Sequence, residues 1–150
     1  MPQSLSNLLV HLVFSTKGRD PLIVDAERRD LHAYLAGTAR GCKCECFRVG
    51  GTDDHVHMAI RLHQTQCMSK LVEAVKSSSS LWIKTASPDM RDFAWQRGYG
   101  ALSVSAPDLD RLVGYIDRQA DHHKRVSFQD EFRAILREHG MEFDERYVWD

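Results

Sequence analysis

The chain has 150 residues, 43% of them hydrophobic and 27% charged, with a formal net charge of −1 at pH 7. That composition suits one globular domain, residues 1–150, with a real core, and excludes a disordered tail or a polycation that grips nucleic acid by bulk charge. No run of about 18 apolar residues occurs, and Met1-Pro2-Gln3-Ser4 lacks the basic and apolar stretches of a signal peptide, so a cytoplasmic protein without a membrane anchor is expected. The charge is uneven. Residues 1–105 carry 13 basic against 10 acidic side chains and residues 106–150 carry 7 against 11, which assigns any anion-binding surface to the first two thirds.

Leu8 to Phe14 reads as a strand ended by the turn residues Ser15-Thr16-Lys17-Gly18-Arg19-Asp20-Pro21. From Asp25 to Arg40, Ala26, Leu31, Tyr34, Leu35 and Ala39 approximate helical spacing, with Asp25 as N-cap and Gly41 as stop. Cys42 to Val49 alternates, Gly50-Gly51-Thr52-Asp53-Asp54 supplies a turn, and His55 to Leu62 alternates again with Val56, Met58, Ile60 and Leu62 on one face. This is a hairpin pattern. Cys42, Cys44 and Cys46 at period two read as small apolar residues of a core strand rather than a thiolate metal site; with Cys67 apart, the four form no disulfide framework. Met68 to Thr85 is helical by Leu71, Val75, Ser78 and Trp82, and Pro88 bars continuation. Phe93 to Val104 reads as strand, broken at Gly98-Tyr99-Gly100, and a third helix begins near Asp108 with the stripe Leu109, Leu112, Val113, Ile116 and Ala120. The order β-α-β-β-α-β-α fits an α+β, ferredoxin-like sandwich, an antiparallel sheet with helices on one face, extended by a C-terminal helix and a tail. A split βαβ arrangement is the alternative topology.

Two patterns carry chemistry. In His55-Val56-His57 a strand aims both imidazoles at the same face, presetting two nitrogen ligands for one ion, although an isolated His-x-His is more often a pair of exposed histidines. Tyr115 and Gln119 are four residues apart on the third helix, flanking its apolar stripe, with His122 on the same side. A tyrosine there commonly keeps its hydroxyl in water. Beside an amide oxygen able to ligate a hard cation it is also a candidate nucleophile. Tyr99, between glycines and without such a neighbour, is the weaker candidate.

Together these residues resemble the single-tyrosine HUH transposases of the IS200/IS605 type, including the repeat-associated tyrosine transposases. The resemblance runs through Leu12-Val13-Phe14-Ser15-Thr16-Lys17, Gly50 to His57, Lys76-Ser77-Ser78-Ser79, Trp95 to Ser105 and Tyr115-Ile116-Asp117-Arg118-Gln119, and continues at His122-His123-Lys124 and Glu145 to Asp150. It implies His55 and His57 as a metal-binding pair, Gln119 as the third protein ligand and Tyr115 as the nucleophile. The implied reaction cleaves and rejoins single-stranded DNA at hairpin-bearing ends through a 5'-phosphotyrosine. Imidazoles alone would suit zinc, but an amide oxygen, open positions and a phosphate ligand suit Mg2+, with Mn2+ able to substitute, as the resemblance also implies. Lys17, Lys76 and Arg97, with Ser78 and Ser79 as hydroxyl donors, are the candidate DNA-binding contacts. The resemblance further implies a homodimer whose sites are composite, the histidines of one subunit meeting the tyrosine helix of the other. A non-catalytic binder of DNA or RNA hairpins is the competing expectation.

Overall fold

The computed structural model describes residues 2–150. Strands β1 (Leu8–Ser15), β2 (Glu45–Gly51), β3 (His55–Leu62) and β4 (Gly100–Val104) form one antiparallel sheet in the order β2-β3-β1-β4. This is the strand order of a ferredoxin-like sandwich. Helices α1 (Asp25–Gly41) and α2 (Met68–Ala86) cover one face. There the even-numbered residues Leu12 and Phe14 of β1 and Val56, Met58 and Ile60 of β3 meet Leu31, Leu35, Leu71, Val75 and Ile83 in the main core. The expected helical stripe of α2 is divided. Leu71 and Val75 face the sheet together with Val72, Ser79 and Ile83, whereas Trp82 stacks on Tyr34 of α1 at 4.9 Å and Ser78 meets Thr38 at 3.3 Å. A helix wedged between a sheet and a neighbouring helix has two contact edges, so one stripe does not describe it.

The other face is not bare. Helices α3 (Leu109–Asp117), α4 (Gln119–His122) and α5 (Phe128–Glu138) lie over it, and a second cluster joins Val13 of β1 to Phe128, Phe132 and Leu136. The sequence reading anticipated one continuous helix here and a tail. Instead the chain breaks at Arg118 (φ −97°, ψ 12°), and α5 is capped by Ser127, whose side chain accepts from the Asp130 amide.

Three expected boundaries move. Val24, not Asp25, precedes α1; Asp25 lies in the first turn, where its charge suits the helix dipole and pairs with Arg28 at 3.0 Å. Cys42 caps α1 rather than starting a strand, so only Cys44 and Cys46 enter the core. The segment 93–99 makes a single bridge, Thr16 to Trp95, instead of a strand. The Ala94 carbonyl accepts from the Lys17 amide at 2.9 Å, and the Gln96 and Gly98 carbonyls accept from Lys76 Nζ at 2.8 Å and 2.6 Å. An ammonium pinned under a loop replaces the neighbouring strand as hydrogen-bond partner.

One irregularity sets the site. Between Cys46 and Arg48 the register of β2 on β3 slips. The extra residue, Phe47, reverses the alternation, so Val49 packs against the main core while Gly50 pairs with His57 on the opposite face. A Cβ at Gly50 would lie 2.6 Å from Ile116 Cγ2 and 2.8 Å from the Ile116 carbonyl oxygen. Only glycine lets α3 lie directly on the strand beside His57. Gly50→Ala is expected to cost about 1–3 kcal/mol of stability through overpacking against backbone, lowering Tm by several degrees in a chain of this size. Calorimetric unfolding of the purified variant checks it.

Candidate active site

On β3, His55 and His57 point away from the main core and are both fully buried beneath α3–α5. Each ring is held through Nδ1. His55 Nδ1 lies 2.7 Å from Asp54 Oδ1, which also accepts from Thr52 Oγ1 at 3.1 Å. His57 Nδ1 lies 2.7 Å from His11 Nε2. Such outer partners fix ring orientation and leave Nε2 free to face a third group. Burial, and then His57, push the His11 imidazole down to about 3, so it stays neutral and can either give or accept the proton shared with His57. Burial raises the Asp54 carboxyl, but the hydrogen bond and charge of His55 outweigh it and hold it below the ordinary range.

Gln119 follows the Arg118 break and is 1% exposed. Its amide nitrogen donates to Glu131 Oε2 at 2.9 Å, which fixes the amide so that Oε1 faces His55 Nε2 at 2.8 Å. With His55 Nδ1 turned to a carboxylate, two electron-pair donors confront each other, and a proton or a metal ion reconciles them. Tyr115, half-buried on α3, has its ring centroid 5.6 Å from that of His57 and 6.2 Å from that of His11. Its hydroxyl donates to Glu131 Oε2. Burial first, then the Glu131 charge, push this phenol well above its usual value. A cavity of about 660 Å³ opens over the tyrosine, bordered by His11, Arg111, Arg118 and Glu131.

Glu131 is the residue that the sequence reading missed. It is 3% exposed on α5 and receives His57 Nε2 at 3.0 Å and His123 Nε2 at 2.9 Å on Oε1. Burial raises its carboxyl, but the hydrogen bonds from His123 and His57 prevail and hold it ionised far below the usual range. His11 and Asp54 were missed as well. A signal existed for each: His11 sits at an odd position of an otherwise apolar strand, Asp54 abuts His55, and Glu131 lies within the stripe Phe128, Phe132, Ile135 and Leu136.

Residues 4–119 match the family described as "Transposase IS200 like". The chain belongs to the IS200-like transposase family. It is 25% identical over 116 residues to the ISDra2 transposase TnpA of Deinococcus radiodurans, covering 74% of this chain and 83% of that protein. Among solved structures it is similar to a putative transposase from Deinococcus radiodurans R1 (TM-score 0.62, 24% identity, 79% of this chain and 98% of that one). It is also similar to a REP-associated tyrosine transposase bound to a REP hairpin (TM-score 0.62, 13% identity, 84% of this chain and 74% of that one). The fold of this transposase-family chain is therefore that of its relatives, and the family match ends at Gln119, before α5 begins.

The expected site residues separate into two groups. Tyr115, His55, His57 and Gln119 converge within one chain, in cis. The DNA-binding candidates do not converge there. Lys17 and Arg97 are exposed along a groove that also includes Arg19 and Trp149. Lys76 is half-buried under the 96–98 loop, and burial lowers its amine to about 8. Ser78 donates to the Ala74 carbonyl. Ser79 is fully buried and accepts from Trp95 Nε1 at 2.9 Å, which corrects its reading as a phosphate contact. Among the described residues no helix is long and apolar enough to cross a membrane.

The electrostatics extend to a further, half-buried imidazole, His32 on α1, whose buried Nε2 has no hydrogen-bond partner. Burial, then Arg28 and His55, push it down to about 4. The unfolded imidazole protonates near 6.5, the folded one only near 4, so between those values the unfolded state holds the additional proton. Stability from this group is complete above pH 6.5 and falls toward pH 4, by up to about 3 kcal/mol. His123, raised by Glu131 against the effect of burial, works in the opposite direction. Urea midpoints measured from pH 7 to 4.5 should therefore fall less steeply for His32→Leu than for the wild-type chain, a difference that isolates His32.

Proposed function

We propose that this chain is a DNA transposase that cleaves and rejoins single-stranded DNA at hairpin-bearing ends, with Tyr115 as nucleophile. The observation that carries the reading is that the Tyr115 hydroxyl donates to Glu131, the buried carboxylate that also receives the Gln119 amide and His57 Nε2, with His55 facing Gln119. The site suits a divalent ion. Ligands at about 2.1 Å in octahedral positions lie about 3.0 Å apart, and the facing atoms of His55 and Gln119, 2.8 Å apart, meet that spacing. The amide oxygen, together with an oxygen of a scissile phosphate, suits Mg2+, with Mn2+ as substitute. When bound, such an ion supplies Lewis acidity toward a scissile phosphate oxygen and a positive charge that favours the phenolate.

The chain's own residues do the rest. Asp54 and His11 orient the imidazoles, and Gly50 lets Ile116 and hence Tyr115 approach them. The phenol oxygen gives up its proton and forms a bond to phosphorus as the bond from phosphorus to the 3'-oxygen breaks, and the departing 3'-oxygen takes up a proton, leaving a 5'-phosphotyrosine and a 3'-hydroxyl. A 3'-hydroxyl from another end reverses the attack and rejoins strands without ATP. Strand entry is through the cavity over Tyr115. Lys17 and Arg97 are the phosphate contacts of choice for a hairpin, the ligand held by the REP-associated relative. Lys76 and Ser78 serve that surface indirectly, by shaping the loop and the helix beneath it.

The test is incubation of the full chain with labelled single-stranded hairpin DNA and Mg2+. A covalent adduct on a denaturing gel, mapped to Tyr115, is expected. Cleavage without adduct would instead indicate attack by water, and binding without cleavage a hairpin-binding protein; either result overturns the proposal.

A further inference from the structure

We propose that Glu131 is an additional protein ligand of the divalent ion, an inference that rests on reading His55, His57 and Gln119 as the ion site. A carboxylate 3% exposed needs compensating partners. Among the described residues no lysine or arginine pairs with Glu131. Its neighbours are instead the imidazoles of His57, His123 and, at 3.4 Å, His122, the Gln119 amide and the Tyr115 phenol. A carboxylate enclosed by imidazole nitrogens, an amide and a phenol, with no guanidinium or ammonium beside it, has the surroundings of a metal ligand.

Geometry divides the work between its two oxygens. Oε1 lies 3.0 Å from His57 Nε2 and 3.6 Å from His55 Nε2, and the ligand atoms of His55, His57, His123 and Glu131 all lie within 4.8 Å of one another. The shortest of these spacings equals the separation of about 3.0 Å between adjacent ligands of a six-coordinate ion, and the others are longer. Oε2 accepts from Tyr115 and from the Gln119 amide. One carboxylate thus faces the ion with one oxygen and holds both the nucleophile and the neutral amide ligand with the other. It adds a negative charge to a ligand set that is otherwise two imidazoles and an amide, and anionic oxygen is what a hard divalent ion prefers.

Local structure makes the placement firm. Phe128 stacks on His55 at 4.5 Å, and Phe132 lies so close over Gly100 that a Cβ there would be 2.7 Å from its ring. With both rings seated, Glu131, immediately before Phe132 and on the same side of α5, faces the imidazoles. Glu131 lies twelve residues past Gln119, where the family match ends.

Mn2+ binding by the full DNA-free chain tests the assignment, followed by loss of the free-ion electron paramagnetic resonance signal and by calorimetric titration. Glu131→Gln preserves shape, so folding is checked by circular dichroism, and Glu131→Asp provides a second variant that keeps the charge. The expected result is at least tenfold weaker Mn2+ binding for Glu131→Gln, partial recovery for Glu131→Asp, and a smaller Mn2+-induced rise in Tm for Glu131→Gln. Equal or tighter binding by Glu131→Gln would overturn the inference, since the carboxylate would then merely fill the ion's place. Absence of Mn2+ binding by the wild-type chain would overturn the ion-site reading itself, a separate result.

Discussion

Tyr115→Phe is expected to abolish the covalent protein–DNA adduct and to lower strand cleavage by roughly 10⁴-fold or more, about 5.5 kcal/mol in barrier height. The substitution removes one oxygen and little else. The ring keeps its edge contacts with His57 and His11 and its tilted contact with His122 at 5.7 Å. What is lost is the hydrogen bond to Glu131 Oε2, which still accepts from the Gln119 amide. Because Tyr115 is only half-buried, stability should change by about 1 kcal/mol or less, and hairpin affinity, measured by fluorescence anisotropy, by no more than a few-fold. Separation of binding from chemistry is the informative feature. A variant that cleaved at the wild-type rate would exclude Tyr115 as nucleophile whatever its position.

Period-two logic placed His55 and His57 together because a strand leaves side chains no choice of face, and helical spacing placed Tyr115 near Gln119 despite the break at Arg118. Strand order followed from element order. The residues that resisted are those whose position depends on tertiary contact. Glu131 reaches the histidines only because α5 folds back over the sheet, across 74 residues of sequence from His57. Its helix was nonetheless announced by the Ser127 cap and the stripe Phe128, Phe132, Ile135 and Leu136. A carboxylate inside such a stripe is itself a sign of a buried partner. The slip at Phe47 had no local mark, since register is decided by pairing with β3 and not by β2 alone. Lys76 and Ser79 misled in a different way. A lysine and a serine on an otherwise mixed helix look available to phosphate, yet the first is needed by the carbonyls of the 96–98 loop and the second by the Trp95 indole.

His57→Ala carries the second large effect, and it also decides how the site is assembled. The imidazole is fully buried between His11 and Glu131. Truncation leaves His11 Nε2 without its partner, removes one of the hydrogen bonds that stabilise the buried carboxylate, and opens a cavity. Together these are expected to cost about 2–4 kcal/mol in the metal-free chain. Cleavage should fall at least 10³-fold through loss of an ion ligand, with hairpin binding retained wherever the variant remains folded. Since Tyr115 and His57 meet within one chain, mixing His57→Ala chains with Tyr115→Phe chains should leave cleavage absent: every cis site lacks either the ligand or the nucleophile. The mixture must be co-refolded or co-expressed, and mixed species verified by native mass spectrometry if the chains associate. Recovered adduct formation would mean that α3 of one subunit reaches β3 of another in the working particle, and that the contact of Ile116 with Gly50 is made between subunits there. The single chain would then lack half of each reaction centre.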